Sequence, residues 1–106
     1  MNNQLSHFIL DEKNNVIPVE LLVWAKWLEH AGEQRIVEQT NIGKKGRISV
    51  LTVFLGLNHR LNNEGPPLLF ETMVFGGEWD QETDRYSTWK EAENGHKKMV
   101  KKVKQN

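Results

Sequence analysis

The chain has 106 residues, its 14 basic residues balance 14 acidic ones, and it contains no cysteine. This length suits a single domain, and the neutral net charge argues against a globally basic nucleic-acid binder. The lack of cysteine excludes disulfides, thiolate metal sites and a thiol nucleophile.

The N-terminal residues show neither the basic start nor the long apolar region of a signal peptide. No apolar run approaches the length of a membrane span. We therefore expect a soluble, cytoplasmic protein without a membrane partner.

The first third of the chain predicts a small hairpin followed by a helix. The stretch FILDEKNNVIPV contains two apolar pieces around a polar turn, where Asn14 tolerates the left-handed conformation that a tight turn needs. Pro18 suits the first turn of a helix, so a helix is predicted from about 18 to 31, with Gly32 as its C-terminal cap. Its buried stripe consists of apolar residues at helical spacing, namely Leu21, Trp24, Ala25, Leu28 and Ala31.

Apolar residues outside this stripe widen the nonpolar arc of the helix. They are Leu22, Val23 and Trp27. Two interpretations stay open: a sheet and a flanking loop cover them, or Trp27 belongs to an interface with another chain, which includes a homodimer.

The middle of the chain predicts antiparallel strands. Residues 35–40 and 47–57 flank the turn sequence GKKG and indicate a hairpin. The loop NHRLNNEGPP, residues 58–67, follows, and its prolines cannot donate to a sheet. The next strand therefore starts near Leu68, runs through LLFETMVF and ends at Gly76.

The last third predicts an irregular polar segment, GEWDQETDR, and then a helix over 89–104. Thr88 and Glu91 form a capping box at its start. The lysines at its end complement the helix dipole, or, as a less favoured alternative, they contact nucleic acid or an acidic partner. The chain is therefore predicted to be an α+β fold, with a three- to four-stranded antiparallel sheet packed against two amphipathic helices. The buried stripe of the last helix is Trp89, Ala92, His96, Met99, Val100 and Val103.

A glutamate in the most apolar strand is the first candidate functional residue. Glu71 alternates with apolar residues, and an unpaired carboxylate is costly to bury, so it needs a partner or a partly wet cavity. It is either a structural pair or a ligand-binding or catalytic group. The candidate partners are His59, Arg60, Arg85 and Tyr86.

His96 and Trp79 are two further candidates. His96 lies on the apolar stripe of its helix and points at the sheet, either as a satisfied core residue or as a ligand-binding group. Together with His59 and Glu71 it could hold zinc or perform acid–base chemistry, but the spacing matches no compact metal motif. Trp79, in a polar loop, is a candidate for stacking on a ligand or partner. The sequence therefore assigns no catalytic residue, metal or cofactor.

Three phrases, LTVFLGLNH, GPPLLFETMVFGG and RYSTWKEAENGH, resemble a family of short proteins of tailed phages and prophages. The resemblance covers most of the chain and implies a phage context, in the cytoplasm of a host cell, without implying a mechanism. Asn58 stands where aspartate is common in that family, which weakens any essential role for a carboxylate there. The polar residues common to the resemblance are His59, Glu71, Arg85, Tyr86 and His96.

Three functional hypotheses follow. The leading one is a non-enzymatic accessory protein that binds a host or phage macromolecule through the free sheet face and the 58–67 loop. The alternative is a small-ligand protein, for instance for a nucleotide, with a pocket formed by His59, Glu71, Arg85 and Tyr86. The third is a small hydrolase that uses His59, Glu71 and His96. Over all hypotheses, the ligand- or partner-binding candidates are His59, Arg60, Glu71, Trp79, Arg85, Tyr86 and His96.

Overall fold

The computed structural model of the protein describes residues 7–60 and 64–105, so that residues 61–63 of the predicted contact loop lie outside the described residues. Two antiparallel sheets and two α-helices confirm the predicted α+β class. One sheet has the order β1-β2, and the other has the order β3-β4-β5-β6. The elements are β1 (His7–Leu10), β2 (Val16–Val19), α1 (Leu21–Ala31), β3 (Ile36–Ile42), β4 (Ile48–Phe54), β5 (Phe70–Phe75), β6 (Thr83–Tyr86) and α2 (Trp89–Lys104).

The β1–β2 hairpin confirms the predicted turn and corrects the predicted start of α1. Asn14 has a φ of 66°, and the carboxylate of Asp11 accepts the backbone N–H of Asn15 at 2.9 Å. Pro18 lies in β2 opposite Phe8, and α1 begins only at Leu21. A proline is tolerated in β2 because that strand has a free edge, where no ladder hydrogen bond is lost.

Helix α1 packs against β1 with a face that differs from the predicted one. Leu21 is 56% exposed and Ala25 is also exposed, whereas the Trp27 ring packs edge-on against Phe54, with centroids 5.7 Å apart. Trp24, Trp27, Leu28 and Ala31 also have helical spacing, so the sequence pattern fits both faces. The observed face partly buries the two large indoles, which gains more apolar burial than Leu21 and Ala25 would.

The four-stranded sheet contains one strand that the sequence did not reveal. Residues 83–86, predicted to be irregular, form β6 and pair with β5 from Phe70↔Tyr86 to Met73↔Thr83. This edge strand reads TDRY, and only Tyr86 contacts the core, so apolar alternation is missing from its sequence. β5 starts at Phe70 rather than near Leu68.

Helix α2 forms as predicted and contacts all four strands of the larger sheet. The capping box is present: the Thr88 hydroxyl accepts the N–H of Glu91 at 3.1 Å, and the Glu91 carboxylate accepts the N–H of Thr88 at 3.1 Å. Among the described residues, neither helix has the length and apolar character needed to cross a bilayer.

Two apolar clusters lie between α2 and the sheet, and a polar layer separates them. Thr52 lies between Val50 and Phe54 on β4, and it pairs across the sheet with Thr72 on β5. His96 extends the same layer from α2. One cluster contains Leu10, Phe54, Leu69, Phe70 and Ala92, and the other contains Val50, Val74, Met99 and Val103.

Candidate functional site

The sheet face that points away from α2 presents apolar side chains to the surface. Its apolar residues come from β3, β4 and β5, and those on β4 and β5 alternate with fully buried residues on the inner face. Phe75 is 45% exposed and Ile36 is 38% exposed, whereas Phe54 and Val74 on the inner face are fully buried. We call this surface the open sheet face, and its apolar residues are Ile36, Leu51, Val53, Met73 and Phe75.

The packing of the described helices explains why this face is open. Helix α2 lies on the inner face, and α1 makes its main contacts with β1 and the turn that follows it. The smallest dimension of the molecule is 20 Å, which matches one sheet layer of about 10 Å plus one helix of about 10–12 Å. The fold is therefore two layers deep at the sheet.

Glu71 lies on the open sheet face and has a partner within the protein. Its Oε2 accepts a hydrogen bond from Nε of Arg85 at 2.9 Å, and the two residues are directly opposite each other on β5 and β6. The Glu71 side chain is 17% exposed. Of the four predicted partners, the structure selects Arg85, which leaves one neutral ion pair among the apolar side chains of this face.

His59 and Arg60 lie at the start of the loop and stabilise its backbone. The side-chain oxygen of Asn58 accepts the N–H of Arg60 at 2.9 Å and the N–H of Leu68 at 3.0 Å. Arg60 Nε donates to the carbonyl of Pro66 at 2.7 Å, and the His59 ring donates to a backbone carbonyl two residues earlier. Asn58 acts here through its acceptor oxygen, which aspartate also offers.

His96 lies on the inner face, where both ring nitrogens are hydrogen-bonded. The ring is 1% exposed. Nδ1 lies 2.7 Å from the Thr52 hydroxyl, and Nε2 lies 2.9 Å from the Thr40 hydroxyl. Thr52 is also hydrogen-bonded to Thr72, whose hydroxyl accepts that of Tyr86 at 3.2 Å. A chain of hydrogen bonds thus runs from Tyr86 to Thr40 through the polar layer.

A chain in which every hydroxyl donates one hydrogen bond selects one tautomer of His96. Burial raises the pKa of Tyr86, so its hydroxyl keeps its proton and donates to Thr72. Each threonine then passes one hydrogen onward, so that Nδ1 of His96 accepts and Nε2–H donates to Thr40. Burial also lowers the pKa of His96, and the Glu38 carboxylate, 3.9 Å from Nε2, offsets part of that shift. His96 is therefore neutral near pH 7.

The structure separates the residues that the hydrolase hypothesis places in one site. Glu71 and Thr72 are neighbours on β5 and point to opposite faces, and Thr72 belongs to the layer that contains His96. His59 lies in the loop. Among the described residues, no group of three or more histidines and acidic residues could hold a metal ion. Glu71, Arg85 and Tyr86 do not line one pocket either, because Tyr86 points inward.

Trp79 packs beside the second apolar cluster instead of standing free in the loop. The ammonium group of Lys102 lies 4.3 Å from the centroid of its ring, and the same group pairs with Glu82 at 2.5 Å. One face of the indole is therefore already occupied by a cation, as in other cation–π contacts.

Sequence reasoning missed the threonines of the polar layer and the groove beside them. Thr40, Thr52 and Thr72 occupy inner-face positions at which the alternation predicts apolar residues. The sequence signal for this polar layer was a threonine in place of an apolar residue at inner-face positions of neighbouring strands, opposite a histidine on the helix.

No protein-family model, curated protein or solved structure matches the chain.

Proposed function

We propose that the protein is a small, non-enzymatic accessory module of phage type that binds a host or phage protein on its open sheet face. One observation carries the proposal. On the same strands, inner-face residues such as Val74 are fully buried, while Met73 is partly exposed and Phe75 is 45% exposed in the described structure. Exposed apolar patches of this kind mark protein-binding surfaces.

The chemistry of the face favours a protein partner over a nucleic acid. Its apolar side chains lie beside the Glu71–Arg85 pair, which carries no net charge, and it offers no row of cations for phosphates. We expect the partner to contribute an amphipathic helix, because the inner face of the same sheet already packs against the amphipathic helix α2. Sheets covered by helices on both faces are a common architecture.

The candidate catalytic groups are engaged in structural contacts, which supports a binding role over hydrolysis. Glu71 is paired with Arg85, and both ring nitrogens of His96 contact threonine hydroxyls. The 58–67 loop stays a predicted part of the contact region, and the phage context rests on the resemblance of the three sequence phrases.

Site-specific photocrosslinking in phage-infected cells tests the proposal. The crosslinking amino acid benzoylphenylalanine is placed at Phe75 on the open sheet face, at Leu22 on the exposed side of α1, and at Lys90 on α2. We expect one protein to crosslink from position 75 and not from the other two, with the crosslinked peptide inside a helix of that protein.

Reconstituted binding with the purified partner completes the test. Met73→Asp should weaken binding at least about tenfold, because a buried unpaired carboxylate costs more than 1.4 kcal/mol at an interface. Asn94→Asp adds the same charge on the outer side of α2 and should leave affinity within about twofold. Crosslinking from Leu22, or unchanged affinity of Met73→Asp, would show that another surface binds the partner. Crosslinking only between two copies of the chain would identify a homodimer and overturn the proposed partner.

A further inference from the structure

A groove runs between β3 and the C-terminal half of α2, on the helix side of the sheet and away from the open sheet face. Its volume is about 470 Å³, within the range of small-ligand pockets. The residues that matter for its chemistry are Glu38, Thr40, His96, Lys97, Lys101 and Lys104.

Three lysines along one side give the groove its charge. Lys97, Lys101 and Lys104 follow the spacing of one helix face and extend over about 10 Å. None of the three forms an ion pair among the described residues, whereas Lys102 on the same helix pairs with Glu82 and covers Trp79.

The helix dipole accounts for only part of this arrangement. Lys101 and Lys104 lie in the last turn of α2, where a cation is favourable. Lys97 lies in the middle of the helix, and like charges at this spacing repel one another. An anion in the groove would stabilise all three lysines together.

The floor of the groove adds neutral hydrogen-bond donors. Nε2 of His96 lies 2.9 Å from the Thr40 hydroxyl and, in the tautomer assigned above, donates to it. Thr40 therefore keeps its own hydroxyl hydrogen for another acceptor, and none of the described residues accepts it. The buried chain from Tyr86 through Thr72 and Thr52 favours this tautomer when each hydroxyl donates once.

We propose that this groove binds a small molecule through a phosphate group. The phosphate contacts the three lysines and the Thr40 hydroxyl, which match its charge and its acceptor oxygens. Glu38 on the β3 side carries the only negative charge among the lining residues, and it accepts a hydrogen bond from a hydroxyl of the ligand. No Phe, Tyr or Trp side chain lines the groove within the described chain, and the His96 ring is buried, so a phosphorylated sugar or polyol suits it better than a stacked nucleobase.

A nuclear magnetic resonance titration of the full chain tests this site with inorganic phosphate and with glucose 6-phosphate as probes. The reference is sodium chloride at matched ionic strength. We expect saturable amide shifts in residues 38–40 and 96–104, with a Kd below about 1 mM for glucose 6-phosphate. Shifts that grow linearly with either probe and spread over all surface lysines would overturn the site.

Two pairs of variants separate a built site from general charge attraction. Lys101→Ala should weaken glucose 6-phosphate binding about tenfold, as expected for a hydrogen bond to a charged group, while Lys98→Ala on the same helix stays within about twofold.

Thr40→Val should weaken binding at constant charge, and Thr40→Ser should retain it. Equal losses from Lys98→Ala and Lys101→Ala would overturn the proposal. Amide spectra recorded without probe confirm that each variant is folded. If Thr40→Val unfolds, the comparison of Lys101→Ala with Lys98→Ala still decides the test, because Lys101 is exposed and its substitution should not disturb the fold.

Discussion

The two faces of the four-stranded sheet are built from the same strands and differ in what covers them. The inner face meets α2, buries Val50, Phe54, Phe70 and Val74 completely and contains a hydrogen-bonded polar layer. The open sheet face leaves apolar residues at the surface around one ion pair. Because neighbouring residues of a strand point to opposite faces, stability and binding can be assigned to alternate positions of β4 and β5.

The two faces also differ in how strongly their polar residues depend on their hydrogen-bond partners. Thr52, Thr72 and His96 are buried and satisfy one another, so the loss of one partner leaves another unpaired. Glu71 and Arg85 are partly solvated, so their pairing contributes less.

The largest expected effect comes from one phenylalanine on each face. Phe54→Ala should lower the free energy of unfolding by about 3–5 kcal/mol, because it leaves a cavity in the fully buried first cluster. Phe75→Ala, on the open sheet face, should lower it by less than about 1 kcal/mol. Urea unfolding of both variants measures the difference. Similar losses would mean that both faces are packed alike.

Gly95→Ala should destabilise the protein by about 1–3 kcal/mol, although alanine is the better helix former. The reason is that a Cβ at Gly95 would overlap the ring of Tyr86 on the inner face. Asn94→Ala, exposed on the neighbouring position of α2, should gain a few tenths of a kcal/mol from helix propensity. Melting temperatures of the two variants should move in opposite directions, and a stabilised Gly95→Ala protein would contradict the packing.

Lowering the pH should weaken the inner face through His96. Its pKa in the folded protein lies below its ordinary value of about 6.5, so the unfolded chain binds the proton more readily. The stability that neutral His96 contributes to the folded protein is complete above about pH 6.5 and is lost as the pH falls through the folded pKa. When urea unfolding is measured at pH 7.5 and pH 5, the free energy of unfolding should fall less between the two pH values for His96→Gln than for the parent. His30→Gln, exposed on α1, is the control and should match the parent. Equal losses in all three proteins would exclude His96 as the source.

The smallest effect is expected from the ion pair on the open sheet face. A double-mutant cycle with Glu71→Gln and Arg85→Gln should give a coupling energy of about 0.2–1 kcal/mol. The coupling should shrink in 1 M salt, which screens exposed charges. A coupling above about 2 kcal/mol that resists salt would assign Glu71 to the structural core.

Local sequence signals were sufficient for much of the fold. The capping box at Thr88 located the start of α2, and the turn chemistry around Asn14 located the first hairpin. Pro18 was misassigned because proline fits both the first turn of a helix and a free strand edge. Strand β6 was missed because an edge strand need not alternate in polarity.

The candidate site depended on information that one sequence does not contain. The need of Glu71 for a partner was predictable, but the choice of Arg85 depends on the register between β5 and β6. That the His96 side chain points at the sheet was predictable from the helical stripe. Its contacts with Thr40 and Thr52 were not, because they join residues more than 40 positions apart. The exposure of Met73 and Phe75 depends on which face the helices cover.

Thiol labelling of two neighbouring positions on β5 tests the contrast between the faces most directly. The chain has no cysteine, so Met73→Cys and Val74→Cys each introduce one reactive group. In the native protein, Met73→Cys should react with a thiol reagent more than about a hundredfold faster than Val74→Cys, whose labelling requires unfolding. Denatured samples of both variants provide the reference rates. Equal protection of the two positions would show that the open sheet face is covered and would contradict its role as the binding surface.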